Sequence, residues 1–135
     1  MYAHVLVPIS FDADRDTTRA LAAARVLAGP SGRISLLHVQ ETVPPYALGY
    51  LPADYLAETR ADLERALMTL AGDLPRVSVH VVDGHAGRTI SDWAAQNAVD
   101  CIVVASHRPG MQDLLLGSTA TTVVRHAPCA VHVMR

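Results

Sequence analysis

The sequence predicts an α/β fold, a five-stranded doubly wound parallel sheet with four helices. Apolar runs of strand length alternate with longer segments of helical period, which is typical of a parallel sheet covered on both faces. The chain has 135 residues, of which 50% are hydrophobic and 18% are charged, so it can bury one core. We therefore expect residues 1–135 to form a single domain with strand order 3-2-1-4-5.

Five segments have the composition of buried strands. Val and Ile dominate four of them, as expected of strands covered on both sides. The predicted strands cover residues 4–9, 33–39, 76–82, 100–105 and 130–134.

Helical patterns fill most of the remaining chain. The first helix covers 16–28 and is stopped by Gly29-Pro30, and the second starts near Pro52, ends near Gly72 and is expected to be the longest. A third helix follows Gly87, and a fourth runs from 117–118 to about 126. The segment 41–50 contains two adjacent prolines and is expected to be an irregular, mobile surface loop.

Charge and basic-residue usage narrow the function. Eleven basic residues against thirteen acidic ones give a net charge of −2, without the basic excess of a nucleic-acid binder. All the basic residues are arginines, so the chain has no lysine for a phosphate-binding loop, a Schiff base or a response-regulator switch. These functions are excluded, and nucleic acid is not an expected partner.

Cysteine usage and hydropathy favour a reducing cytoplasm. Cys101 and Cys129 lie in or beside strand-like runs and lack CxxC spacing, so we expect two buried thiols without a disulfide. No apolar run approaches the ~18 residues of a membrane span, and the N-terminus lacks the pattern of a signal peptide. We therefore expect a soluble, unprocessed protein with no membrane partner.

The predicted topology opens a crevice beyond the carboxyl ends of strands 1 and 4, where ligands bind in such folds. Gly117, Ser118 and Thr119 begin the helix that follows strand 4, and the free N–H groups of a helix start attract anions. Arg108 can supply positive charge. These residues form a candidate phosphate cradle. The alternative is that Gly117 only makes a turn and Ser118 only caps the helix.

Segments along the whole chain resemble the universal stress protein family, most specifically over the last thirty-five residues. They are Val-Pro-Ile at 7–9, Leu-Leu-His-Val at 36–39, Asp-Cys-Ile-Val-Val-Ala-Ser-His at 100–107, Leu-Leu-Leu-Gly-Ser-Thr at 114–119 and Val-Val-Arg-His-Ala-Pro-Cys-Ala-Val at 123–131. The short Ser-His-Arg-Pro loop at 106–109 is similar to that of single-domain bacterial members of the F/G subgroup. The resemblance implies a Rossmann-like fold, similar to that of the adenine nucleotide alpha hydrolases.

The resemblance also implies a ligand, an adenine nucleotide such as ATP, with or without Mg²⁺. The nucleotide-binding branch carries a Gly-x2-Gly-x9-Gly-Ser/Thr pattern. Here Ala105 stands at the first glycine, the second is lost through a one-residue shortening, and Ser10 replaces the usual aspartate after strand 1. By family analogy the Val39 backbone contacts adenine, and the residues implied in binding are Pro8, Ile9, Ser10, Val39, Ala105, His107, Arg108, Gly110, Gly117, Ser118 and Thr119.

Other chemistry has less support in the sequence. His38, His85 and His107 lie at or just past the carboxyl ends of predicted strands, but the predicted order separates them, so we assign no metal site. No activated nucleophile or carboxylate pair is recognisable, so we assign no catalytic residue.

The expected function is that of a homodimeric stress protein regulated by a bound nucleotide. The fifth strand lies at a sheet edge, which invites pairing with a second copy, and the family resemblance implies a homodimer there. Two alternatives remain open. One is a dimeric stress protein that binds partners without ATP, and the other is a slow ATPase or self-phosphorylating protein that uses the hydroxyls at 118–122.

Overall fold

A computed structural model describes residues 1–11, 17–105 and 117–135. Each of the five observed strands corresponds to a predicted strand, and their ends differ from the prediction by at most one residue. The elements are β1 His4–Pro8, α1 Thr17–Ala28, β2 Arg33–Gln40, α2 Pro45–Leu48, α3 Tyr55–Ala71, β3 Val77–Asp83, α4 Ala86–Gln96, β4 Cys101–Ala105, α5 Ser118–His126 and β5 Ala130–Met134.

The strands form one parallel sheet in the order β3-β2-β1-β4-β5, which confirms the predicted order. β1 pairs with β2 as far as Pro8, opposite Leu37. Its pairing with β4 covers only Val5↔Cys101 and Leu6↔Ile102. Because β1 and β4 diverge after these pairs, a crevice opens at their carboxyl ends, as expected at the point where the strand order reverses.

Helices cover both faces of the sheet. Alternate side chains of each strand point to opposite faces, so Val5 and Val7 pack with α1 and α3, whereas Leu6 packs with α4 and α5. Two apolar cores result, one on each side. This arrangement confirms the doubly wound architecture.

The helices depart from the prediction in number and in some bounds. α3, with 17 residues, is the longest described helix, as predicted, although it begins at Tyr55 rather than near Pro52. α4 begins at Ala86, just before Gly87. No helix in the described ranges is long and apolar enough to cross a membrane.

The prediction that 41–50 is entirely irregular was wrong, because this segment contains the short helix α2. Pro45 is the first residue of α2 and Pro44 is its N-cap. A proline fits the first position of a helix, where its missing N–H would have no intrahelical partner and its fixed φ is already helical. The adjacent prolines therefore start a helix here instead of preventing one.

The two cysteines are both free thiols. Cys101 is buried in the core that contains α1, and this burial raises its pKa to about 11. Cys129 is only half-buried and packs on the opposite face of the sheet. The expectation of two buried thiols is therefore confirmed for Cys101 and too strong for Cys129.

A chain of polar side chains crosses the amino-terminal end of the sheet. His4, which is 3% exposed, donates from Nδ1 to the Asn97 carbonyl at 2.9 Å and accepts at Nε2 from Ser35 Oγ at 2.6 Å. Ser35 Oγ lies 3.1 Å from Ser78 Oγ, which in turn lies 2.9 Å from His80 Nε2. Burial lowers the pKa of His4, although the bond to Asn97 acts in the opposite direction.

Acidification is expected to destabilise the fold by protonating the two histidines of this row of polar side chains, His4 and His80. Burial lowers the pKa of both His4 and His80 in the folded state, so the unfolded chain binds protons first as the pH falls through about 6.5. The contribution of the neutral imidazoles to the free energy of unfolding is fully present above that pH and decreases below it. Urea unfolding at about pH 7.5 and pH 5.5 measures the loss. Equal free energies of unfolding at the two pH values would contradict it.

The Ser35→Ala variant is expected to lower the free energy of unfolding by about 1–3 kcal/mol, because it leaves the buried His4 Nε2 without its hydrogen-bond donor. Ser35 is 2% exposed, whereas Ser78 is exposed. Ser78→Ala is the matched control and should cost less, because water can replace the lost hydroxyl. Urea denaturation of both variants measures the free energy of unfolding. Equal decreases in the two variants would count against a stabilising role for the hydrogen bond between Ser35 and His4.

Candidate functional site

A cavity of about 320 Å³ lies beyond the carboxyl ends of β1 and β4. The ends of β1, β2 and β4 form its floor, and the beginnings of α1, α4 and α5 form its sides. Its lining residues are Pro8, Ile9, Ser10, Thr17, Ala20, Leu37, His38, Val39, Ala86, Ile90, Val103, Val104, Ala105, Ser118, Thr119 and Ala120.

The structure brings most of the expected site residues to this cavity. Gly117 is the N-cap residue of α5 and adjoins the lining without belonging to it. His107, Arg108 and Gly110 lie outside the described residues. The expected residues that line the cavity are Pro8, Ile9, Ser10, Val39, Ala105, Ser118 and Thr119.

The backbone of Val39 faces the cavity. The Leu37 carbonyl points toward β1 and accepts from Ile9 N–H at 2.8 Å, while the Gln40 carbonyl points toward β3 and accepts from Gly84 N–H at 2.9 Å. Because backbone groups alternate in direction along a strand, the N–H and C=O of Val39 point to the β1 side. β1 has ended at that level, so the cavity wall presents one donor and one acceptor side by side.

The opposite end of the cavity is the start of α5. Gly117 has extended geometry (φ −63°, ψ 161°) and gives α5 no side-chain cap. The first N–H groups of a helix lack intrahelical partners and carry the positive end of the helix dipole. Ser118 and Thr119 therefore add hydroxyls to a set of N–H donors, which together can bind an anion.

The hydroxyl of Thr122, in the next turn of α5, is directed elsewhere. Thr122 Oγ1 donates to the Ser118 carbonyl at 3.0 Å, and its side chain packs against Gly87 of α4. A Cβ at Gly87 would lie 2.6 Å from Thr122 Cβ, so glycine permits the close approach of the two helices. Of the hydroxyls at 118–122, only Ser118 and Thr119 line the cavity, which narrows any phosphotransfer hypothesis to these two side chains.

His38 and Phe11 form an aromatic pair at the β1–β2 end of the cavity. Their ring centroids are 4.9 Å apart with an interplanar angle of 55°. His38 Nδ1 lies 2.8 Å from the Ile9 carbonyl oxygen, so the ring links the ends of the two strands. From the sequence, His38 was a candidate only as a metal ligand. Within the described ranges no group of three or more His, Cys, Asp or Glu side chains is placed to hold a metal ion.

Comparison with known sequences identifies the family of this chain. The sequence model of the universal stress protein family matches residues 1–135. The chain belongs to the universal stress protein family. It is 30% identical to universal stress protein G of Salmonella typhimurium over 142 aligned positions, covering 100% of both chains. It is also 32% identical to universal stress protein A homolog 2 of Coxiella burnetii, covering 99% of this chain and 95% of the relative.

Solved structures of the universal stress protein fold are also similar. UspA from Lactobacillus plantarum superposes with a TM-score of 0.71 at 26% identity, covering 99% of this chain and 98% of that one. A universal stress protein from Archaeoglobus fulgidus, solved in complex with dAMP, has a TM-score of 0.69 at 18% identity. A separate universal stress protein structure, solved in complex with cAMP, has a TM-score of 0.61 at 21% identity. The alignment with the dAMP complex covers 99% of this chain and 98% of that chain. The alignment with the cAMP complex covers 99% of this chain and 97% of that chain.

Two walls of the cavity in this universal stress protein were not foreseen from sequence. Ala86 and Ile90 of α4 and Thr17 and Ala20 of α1 line it. The predicted strand order could have indicated that α4 lines the cavity. The connection from β3 to β4 must pass β2 and β1, which brings α4 over the centre of the sheet.

The family pattern is altered at Ala105, and the structure accommodates the change. Ala105 is the last residue of β4, pairs with Met134 and lines the cavity. It is not among the described non-glycine residues with positive φ, which are Arg76 and Ala98. An alanine therefore fits the strand geometry here without strain.

A second groove lies on the outer surface between α4 and α5. Its volume is about 660 Å³, and most of its lining side chains are exposed, including His85, Arg88 and His126. It lacks walls of strand ends and buried apolar residues. The smaller cavity at the strand ends is therefore the better candidate site.

Proposed function

We propose that this chain binds an adenine nucleotide in the cavity between β1 and β4, with ATP as its cellular form, and that the nucleotide acts as a regulatory ligand. The observation that carries the proposal is the pairing of two features across one cavity. The backbone of Val39 offers a donor and an acceptor at one end, and the start of α5, whose N-cap residue is a glycine, offers amide donors at the other.

The Val39 end suits a purine base. Adenine carries an adjacent acceptor and donor, N1 and the 6-amino group, that can pair with one backbone N–H and C=O. Pro8, Ile9 and Leu37 supply apolar contact surface around that edge, as is common in pockets for small ligands.

The α5 end suits phosphate groups. Free N–H groups and the helix dipole favour negative charge, and Ser118 and Thr119 add hydroxyl donors. Arg108 and His107 follow β4 in the sequence, and we assign them to neutralise the phosphates. Among the described lining residues there is no carboxylate, so a magnesium ion would be held mainly by the phosphates and water.

Structural relatives support the class of ligand. Two proteins of the same fold were solved with dAMP and with cAMP, both of which are adenine nucleotides. The choice of ATP, with Mg²⁺, is a finer proposal that depends on the phosphate end of the cavity.

Calorimetric titration with ATP, with and without Mg²⁺, tests the function. We expect a dissociation constant of about 1 mM or lower and stronger competition by AMP than by UMP. In the orientation of adenine, uracil would place its N3–H against the Val39 N–H and its O4 against the Val39 carbonyl. If neither ATP nor AMP gives binding in this range, the protein is better explained as a dimeric stress protein that binds partners without a nucleotide.

The proposal includes a cytoplasmic homodimer joined through β5. This strand is at one edge of the sheet, and edge strands pair readily with another copy. Light scattering is expected to give twice the chain mass of 14.4 kDa. A mass of one chain at every concentration measured would contradict the dimer.

A further inference from the structure

We infer that His38 is a specificity-determining residue of the nucleotide site and that its Nε2 accepts a hydrogen bond from the 6-amino group of the base. This inference rests on the proposed binding of an adenine nucleotide. It adds a side-chain contact beside the backbone contacts of Val39.

The hydrogen bond to Ile9 fixes the tautomer of His38. Nδ1 lies 2.8 Å from the Ile9 carbonyl oxygen, and a carbonyl oxygen can only accept. Nδ1 must therefore carry the proton, and in the neutral ring Nε2 presents a lone pair. His38 accordingly faces a ligand as an acceptor.

The ring is also held in one orientation. Ile9, which accepts from His38, is itself fixed by its N–H bond of 2.8 Å to the Leu37 carbonyl. Phe11 packs against the imidazole at 4.9 Å between centroids. A ring restrained by a backbone bond and an aromatic neighbour loses little freedom when a ligand binds, so its acceptor is pre-organised.

Nε2 lacks a partner within the described part of the chain. Among the described residues, His38 makes its side-chain hydrogen bond through Nδ1 alone, although it is half-buried and lines the cavity. A ligand that enters the cavity would remove water from this nitrogen. A donor on the ligand then avoids the penalty of an unpaired buried acceptor.

The neighbouring residue indicates which ligand group meets this acceptor. Val39, the next residue of β2, faces the proposed base, and the phosphates lie at the far end against α5. An amino group carries two hydrogens, so one can bond to the Val39 carbonyl and the other to His38 Nε2. Hypoxanthine has a carbonyl oxygen at the same position, and two facing acceptors repel each other.

Two variants of His38 separate ligand recognition from positioning. In His38→Asn the side-chain amide lies near the original Nδ1 position and can still donate to the Ile9 carbonyl, but the acceptor at Nε2 is gone. In His38→Gln the amide oxygen reaches the Nε2 position and can still accept, but the bond to Ile9 is lost. Dissociation constants for AMP and IMP are measured for each protein in the same buffer.

We expect the ratio of the IMP to the AMP dissociation constant to fall by about tenfold in His38→Asn and to change by less than about threefold in His38→Gln. His85→Asn, which alters an exposed histidine outside the cavity, is the control and should leave the ratio unchanged. Part of the preference for AMP should persist in every variant, because Val39 contributes through its backbone.

The outcomes distinguish this inference from the function on which it rests. If the wild type binds AMP but His38→Asn keeps the full preference over IMP, His38 does not contact the base and the inference is wrong. If His38→Asn weakens AMP and IMP equally, His38 only positions the strand ends, and the inference is again wrong. If the wild type binds neither nucleotide, the proposed function itself fails.

Discussion

The Ser118→Glu variant is expected to bind adenine nucleotides at least about 100-fold more weakly than the wild type. Ser118 lines the cavity at the first turn of α5, where the proposed phosphates meet the helix N–H groups. A carboxylate there occupies the same donors and repels the phosphates, and juxtaposed like charges cost several kcal/mol. The fold should not suffer, since acidic residues stabilise the first turn of a helix.

Thr121→Glu is the matched control for this variant. Thr121 lies in the same helix and receives the same charge, but it does not line the cavity. Calorimetry with ATP on both variants, with circular dichroism to verify folding, makes the comparison. Equal weakening by the two substitutions would mean that charge near α5 acts at a distance, and unchanged affinity in Ser118→Glu would place the phosphates elsewhere.

The Gly32→Ala variant is expected to lose about 3 kcal/mol of stability, with a fall in Tm of roughly 10 °C. A Cβ at Gly32 would lie 2.3 Å from the Ala28 carbonyl oxygen and 2.4 Å from that of Tyr2. Both obstacles are backbone atoms, one at the end of α1 and the other just before β1. Neither can move without displacing an element of the core, so the strain cannot be relieved by a side-chain rotation.

Gly49→Ala is the corresponding control for Gly32→Ala. Gly49 has a φ of −67°, and an added Cβ would meet nothing within 4 Å. Its stability should stay the same or rise by up to about 1 kcal/mol, because alanine has less freedom in the unfolded chain. Thermal unfolding compares the Tm of the two variants with that of the wild type. A Gly32→Ala protein as stable as Gly49→Ala would contradict the predicted strain at Gly32.

The strand order was predictable because buried parallel strands have a strong sequence pattern. Runs such as Cys101-Ile-Val-Val-Ala105 are too short for helices and rich in β-branched residues, and the alternation with helical segments restricts the topology to few arrangements. α2 was missed because a rule that excludes proline from helices does not hold at the first helical position.

The position of a candidate site residue at the cavity was predictable only where it depended on topology and backbone. The start of α5 and the end of β2 could be assigned from the strand order and the family resemblance, and Ser118 and Val39 indeed line one cavity. The role argued for His38 could not be foreseen, because it depends on a hydrogen bond to the Ile9 carbonyl. A sequence does not state which backbone oxygen a side chain will meet.

A crystal structure of the chain with bound ATP would show whether the nucleotide lies in the strand-end cavity with its phosphates at the start of α5. Phosphate oxygens are expected within about 3 Å of the amide nitrogens of Ser118 and Thr119, with the adenine edge against the backbone of Val39. Density for the nucleotide in the groove between α4 and α5, or a strand-end cavity left empty at saturating ATP, would contradict it.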